Sequence, residues 1–271
     1  MSWHFTTDHH AFRDTVRPYL AADPARHTAM LTMLEMPEQL VGPCGWWVEA
    51  GGGEVGGAVL VAPAGVPLVA GAGEEAARAL AVELPGVGEV TAVRGESEAV
   101  EVFARATGRA WAVTRRMRLF RLGELTPPEP APKGAARTAG PADVPRALAW
   151  MREYARDIGE DPDADYRANV EGRIGGGRLS FWVAEDGEPL AMASMSPVVA
   201  GQARVSTVYT PPAHRGRGYG GAVTSVVSRA ALDAGAEQVL LFTDLANPTS
   251  NALYQRLGYR PVLDHAAVAF G

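Results

Sequence analysis

The sequence predicts an α/β protein, in which short apolar strands alternate with helix-length amphipathic segments along all 271 residues. Three observations carry this prediction. A β-branched run at 205–210 meets Pro211-Pro212, passes through a glycine- and arginine-rich turn at 215–221, and enters an apolar helix at 222–234. A second strand, 239–243, is followed by a helix at 247–257 and then a final strand. The first half of the chain repeats the same order of segments in outline.

In the first half, 7–20 and 24–36 read as helices, 46–49 and 57–61 as a hairpin, and 66–70 as the next strand. A helix at 74–84, a strand at 90–93, a helix at 96–107 and a strand at 111–121 complete it. The segment 123–136 holds four prolines without apolar periodicity and reads as a semi-rigid linker. Beyond it, 142–157 and 163–175 read as helices and 179–185 and 189–199 as strands. Phe181-Trp182-Val183 echoes Trp46-Trp47-Val48. The expected division is 1–122, linker 123–136, and 137–271. Gly258 falls where the helix before it needs a left-handed residue, with Asn247 as its cap and Pro248 in its first position.

Composition bounds the function. Hydrophobic residues make up 47% of the chain, enough for two cores, and no run approaches the ~20 apolar residues of a membrane span. Met-Ser-Trp-His-Phe lacks a signal-peptide pattern, so a soluble cytoplasmic protein without a membrane partner is expected. A net charge of −6 argues against a nucleic-acid partner. Cys44 is the single cysteine and the six histidines are scattered, so neither a disulfide nor a metal is expected. Of 25 basic residues only Lys133 is lysine, a bias of base composition more than of chemistry.

The turn at 215–221 is laid out to bind phosphate. Gly216, Gly218 and Gly220 let backbone N–H groups approach an anion, the following helix presents its positive end, and Arg215 and Arg217 bring forked donors. Gly216, Gly218 and Gly221 fit G-x-G-x-x-G, but Pro211 to His214 intervene after the strand and no strand ending in an acid follows about 20 positions on, so a dinucleotide fold is excluded. An ATP-type loop needs Gly-Lys-Ser/Thr, which is absent.

Arg215-Gly216-Arg217-Gly218-Tyr219-Gly220 resembles the acetyl-coenzyme A loop of the GNAT N-acetyltransferases. Val208-Tyr209-Thr210-Pro211-Pro212 loosely matches the family's preceding strand. The segment from Asn247 to Tyr259 is similar to its Asn-x-x-Ala-x-x-Leu-Tyr-x-x-x-Gly-Phe motif, with Ser250 for alanine. The resemblance covers 137–271 by motif and 1–122 by pattern alone, so it implies two tandem GNAT-like domains, each a mixed sheet flanked by helices. The first copy is degenerate: Gly71 to Glu75 sets two carboxylates where pyrophosphate needs cations.

What the resemblance implies is an acetyltransferase using acetyl-CoA and a small-molecule amine or peptide acceptor. The cofactor would lie along Val208, Tyr209 and Thr210, with its pyrophosphate in the turn of Arg215, Gly216, Arg217, Gly218, Tyr219, Gly220 and Gly221, and with Asn247 and Ser250 nearby. A backbone N–H near Val208 would polarise the thioester, and Tyr254 would protonate the leaving thiolate. The alternative for Tyr254 is a packed core aromatic. No carboxylate stands on 203–210, so no base is assigned, and a silent acyl-CoA-binding module is the competing reading. Asp157, Glu160, Asp161, Asp163 and Asp165 would attract a cationic amine or merely cap a helix. His9-His10 point different ways for a metal pair, and the chain is expected to be a monomeric pseudo-dimer or a homodimer.

Overall fold

The computed structural model describes residues 1–36, 40, 42–51, 53–61 and 65–271. The chain forms two compact units, one of Met1–Phe120 with Thr243–Pro248 and Pro261–Gly271, the other of Arg121–Phe242 with Thr249–Arg260.

The first unit runs β1 (Ser2–Thr6), α1 (His9–Ala22), α2 (Thr28–Leu34), β2 (Cys44–Val48), β3 (Val55–Val61), β4 (Pro67–Ala70), α3 (Glu74–Glu83), β5 (Ala92–Glu96), α4 (Ser97–Ala106) and β6 (Trp111–Leu122). Asp8 starts α1 by accepting the N–H groups of His10 and Ala11, each at 3.0 Å. β1 to β4 form an antiparallel meander and β4 then runs parallel to β5. Leu80, Val100 and Phe103 from α3 and α4 pack on Trp3, Trp47, Val69 and Val93.

The second unit repeats the order: β7 (Ala135–Thr138), α5 (Val144–Asp157), α6 (Arg167–Gly175), β8 (Leu179–Val183), β9 (Pro189–Met195), β10 (Gln202–Tyr209), α7 (Tyr219–Asp233), β11 (Gln238–Asp244), α8 (Pro248–Arg256) and β12 (Tyr259–Phe270). β7, β8, β9 and β10 are antiparallel neighbours, and β10 pairs parallel with β11. Every residue of β8 is buried, as a strand covered on both faces must be. Trp150 of α5 meets Phe181 and Tyr209 edge-on, at centroid distances of 5.6 and 5.9 Å, within a core shared by α5 and α6.

The expected α/β architecture of two tandem copies therefore stands, with three differences of detail. β1 and β7, the first strand of each copy, were not read from sequence; β7 is exposed at every position and carries no apolar alternation. Residues 123–134 do not run as a free spacer. Thr126 donates its N–H to the Leu257 carbonyl, Trp182 donates its indole N–H to the Lys133 carbonyl, and a Cβ on Gly258 (φ +100°) would stand 1.8 Å from the Glu124 carbonyl oxygen. The last strand leaves the unit of its motif: His265 to Ala269 pair antiparallel with Ala92 to Glu96 of β5, which places residues 261–271 with the first unit.

Candidate active site

The anion cradle starts with one tight turn, Pro212–His214, and two left-handed glycines, Gly216 (φ +75°) and Gly218 (φ +85°). A Cβ at Gly216 would meet no atom within 4 Å, so the space it faces is open. α7 begins at Tyr219, three residues earlier than read from sequence, because Gly220 and Gly221 form its first turn. Among the described residues no acceptor meets the N–H groups of 216–221. Successive free N–H groups at the positive end of a helix of 15 residues form a concavity for an anion. The proline segment walls it: Pro128 lies 3.4 Å from where a Cβ on Gly221 would stand, and Leu253 of α8 lies 3.0 Å from it.

The two arginines have different tasks. Arg215 turns back, donating through Nε to the Thr210 carbonyl at 2.9 Å and pairing through Nη2 with Asp157. Arg217 has no protein partner among the described residues. Three carboxylates of the acidic loop are likewise engaged. Asp157 holds Arg215, Asp161 accepts the Asp163 N–H at 2.9 Å, and Asp165 accepts the Arg167 N–H at 2.9 Å at the start of α6. These bonds favour capping over attraction of a cationic amine.

β10 is distorted where Val208 lies. Its register against β9 shifts between Ser206 and Tyr209, and Thr207, a β-branched residue, takes φ +50°. Pairing with β11 ends at Val205↔Leu241, which leaves the β10 edge from 207 onward without strand partners on that side. Backbone groups freed in this way can hydrogen-bond an extended ligand as an added strand would.

Tyr254 is buried on α8, edge-on to Tyr259 at 6.1 Å, while the Tyr259 hydroxyl is engaged with Ser228 Oγ at 2.7 Å. The Tyr254 hydroxyl has no hydrogen-bond partner among the described residues. Burial raises its pKa above the ordinary tyrosine value, so it stays protonated at neutral pH. Ser250 sits in the first turn of α8; Asn247 donates its N–H to the Asp244 carbonyl at 3.0 Å within the short segment grouped with the first unit.

Two features were missed from sequence. Tyr209 donates to Glu153 Oε2 at 2.6 Å, and burial together with that carboxylate raises its pKa. Arg173 of α6 donates through Nη1 to Ser194 Oγ at 2.8 Å and to Thr207 Oγ1 at 2.5 Å. A signal was present for the second: Arg173 shares the helical face of buried Val170 and Ile174, where an arginine is out of place.

The counterpart turn of the first unit is closed. Gly71 (φ +67°) donates its N–H to Glu96 Oε1 at 3.1 Å and accepts from the Tyr19 hydroxyl at 3.0 Å. A Cβ there would lie 2.0 Å from that hydroxyl and 2.9 Å from His27 Nε2. Glu74 and Glu75 occupy the first turn of α3. Elsewhere, His9 bonds the Gly42 carbonyl, and burial pushes the Cys44 thiol up to about 12, so neither residue supplies a reactive group. Among the described residues no three metal-ligating side chains cluster.

Comparison with known proteins agrees with this geometry. Residues 145–259 match the model of the acetyltransferase (GNAT) family. Solved structures share the tandem fold over nearly the whole chain. A GCN5-related N-acetyltransferase from Sphaerobacter thermophilus is 17% identical with a TM-score of 0.65, covering 98% of this chain and 94% of its own. A GNAT-family acetyltransferase from Colwellia psychrerythraea is 13% identical with a TM-score of 0.63, covering 100% and 99%. A tandem GNAT protein from the clavulanic acid biosynthesis pathway is 16% identical with a TM-score of 0.56, covering 98% and 97%. No curated protein matches the sequence. No helix among the described residues is long and apolar enough to cross a membrane.

Proposed function

We propose that the second unit transfers an acetyl group from acetyl-CoA to an amine. The observation that carries the reading is the run of unpartnered N–H groups at 216–221, which suits a pyrophosphate, beside an opened strand edge that suits the pantetheine amides. In this reading Arg217 adds charge at the phosphates, while Arg215 fixes the turn against Asp157 and Thr210. Backbone groups of Val208 and Thr210 hold the pantetheine, and an N–H near Val208 stabilises the oxygen that gains charge as the amine attacks. The neutral amine nitrogen bonds to the carbonyl carbon, the C–S bond breaks, the thiolate takes the Tyr254 proton, and a proton from solvent restores the phenol. The proton lost by the amine passes to solvent.

The absence of a carboxylate on β10 favours a second reading, in which the unit binds acyl-CoA without turnover. Release of free thiol from acetyl-CoA with a panel of amines separates the two. The transferase reading expects turnover, and a fall in kcat of about 100-fold in Tyr254→Phe with acetyl-CoA affinity unchanged. Because the folded-state pKa is raised, the wild-type rate should not lose this acid as pH rises through ~10, the ordinary tyrosine value. Tight binding without turnover on any amine would establish the silent module instead.

A further inference from the structure

Arg173 is a feature of the second unit to which the proposed reaction gives no role. It is half-buried on α6, and its two hydrogen bonds go to neutral hydroxyls, both from Nη1. No carboxylate among the described residues lies within 4 Å of it, whereas Arg137, Arg146, Arg167 and Arg215 of the same unit each have an acidic partner. Its other donors, Nε and Nη2, have no protein acceptor among the described residues. A guanidinium drawn out of water without a counter-ion is costly, and a planar fork with free donors fits a carboxylate.

Its position says which carboxylate. The Thr207 hydroxyl that it grips belongs to the left-handed residue of the β10 bulge, next to Val208. Desolvation lowers the Arg173 pKa to about 10, and the nearby Arg178 charge adds to the shift, so a bound anion would offset the cost of holding the guanidinium charged.

We propose that Arg173 is a specificity residue that binds a carboxylate carried by a substrate at the acyl-transfer site, so that the enzyme prefers either an amino-acid acceptor or a dicarboxylic acyl group over uncharged equivalents. The inference rests on the transferase reading of the same site. It also reverses the cationic acceptor suggested by the acidic loop, where Asp157 is held in an ion pair and Asp161 and Asp165 in turns.

The test compares phenylalanine with phenethylamine, and glutamate with 4-aminobutyrate, as acceptors for acetyl-CoA, and compares succinyl-CoA with acetyl-CoA on a fixed amine. The wild type is expected to favour the substrate with the additional carboxylate in one arm by about 10- to 100-fold in kcat/KM, the range of a charged hydrogen-bond pair. Arg173→Met should erase that preference, and Arg173→Lys, which keeps the charge without the fork, should retain part of it. A purely structural grip on Thr207 would lower all rates together and leave the ratios intact, and that result overturns the proposal, as does a wild type with no preference in either arm. Should Arg173→Met not fold, the lysine variant decides the matter by the same ratios. If no amine is acylated, the transferase reading fails on its own. The carboxylate proposal is then decided by thermal stabilisation with N-acetylphenylalanine against N-acetylphenethylamine, equal shifts counting against it and a shift for the acid alone, lost in the variant, supporting it.

Discussion

The turns at Gly71 and Gly216 occupy the same place in two copies of one fold and have opposite interiors. Each follows the strand that runs antiparallel to one neighbour and parallel to the next, and each leads into a helix. At Gly216 the space beyond the backbone is open, and the N–H groups that follow have no protein acceptor among the described residues. At Gly71 the same direction is filled by Tyr19 and His27, and the glycine N–H is taken by Glu96, itself forked onto Arg26. The sequence suggested that two glutamates silence the first copy through charge. The structure adds a physical plug, so charge reversal at Glu74 and Glu75 alone is not expected to create a second cradle.

The largest expected contrast in stability follows from the plug. Gly71→Ala places a methyl against the Tyr19 hydroxyl in a left-handed conformation, and should destabilise the first unit by about 2–4 kcal/mol in denaturant unfolding while leaving acetyl-CoA affinity of the folded protein unchanged. Gly216→Ala, which meets no neighbour, should cost only the conformational part, about 1–2 kcal/mol. Equal losses at the two sites would mean that the turns are not filled and open as described.

A smaller effect separates the two arginines of the cradle. Arg217→Gln should weaken acetyl-CoA binding about 10-fold, with a loss that shrinks as salt rises, because its charge is unpaired and exposed. Arg215→Gln removes an exposed pair with Asp157 and a bond to the Thr210 carbonyl, and should alter affinity less than threefold and stability by under about 1 kcal/mol. Reversal of that order in calorimetric titration would return Arg215 to the phosphates, where the motif alone would put it.

These contrasts also mark how far the sequence could be read. Strand alternation, Gly258 and the Asn247-Pro248 start were legible because backbone chemistry dictates them locally. β7 was hidden by its full exposure, and the pairing of β12 with β5 by its dependence on residues about 170 positions away, which no periodicity records. The left-handed turn was legible from its glycines, Gly216 and Gly218. Which arginine is held by an acidic side chain was not, because that depends on Asp157, 58 residues earlier. Arg173 was legible in principle from its apolar helical face, but its meaning required Ser194 and Thr207.

Of the two like turns, only the one at Gly216 is proposed to bind coenzyme A. Calorimetric titration of acetyl-CoA into the whole chain tests it most directly, alongside Gly216→Val, whose branched side chain occupies the open cradle. The account predicts one site per chain, unaffected by Gly71→Ala and weakened about 100-fold by Gly216→Val, the loss of one or two charged hydrogen bonds. Two sites per chain, or a single site indifferent to Gly216→Val, would contradict it.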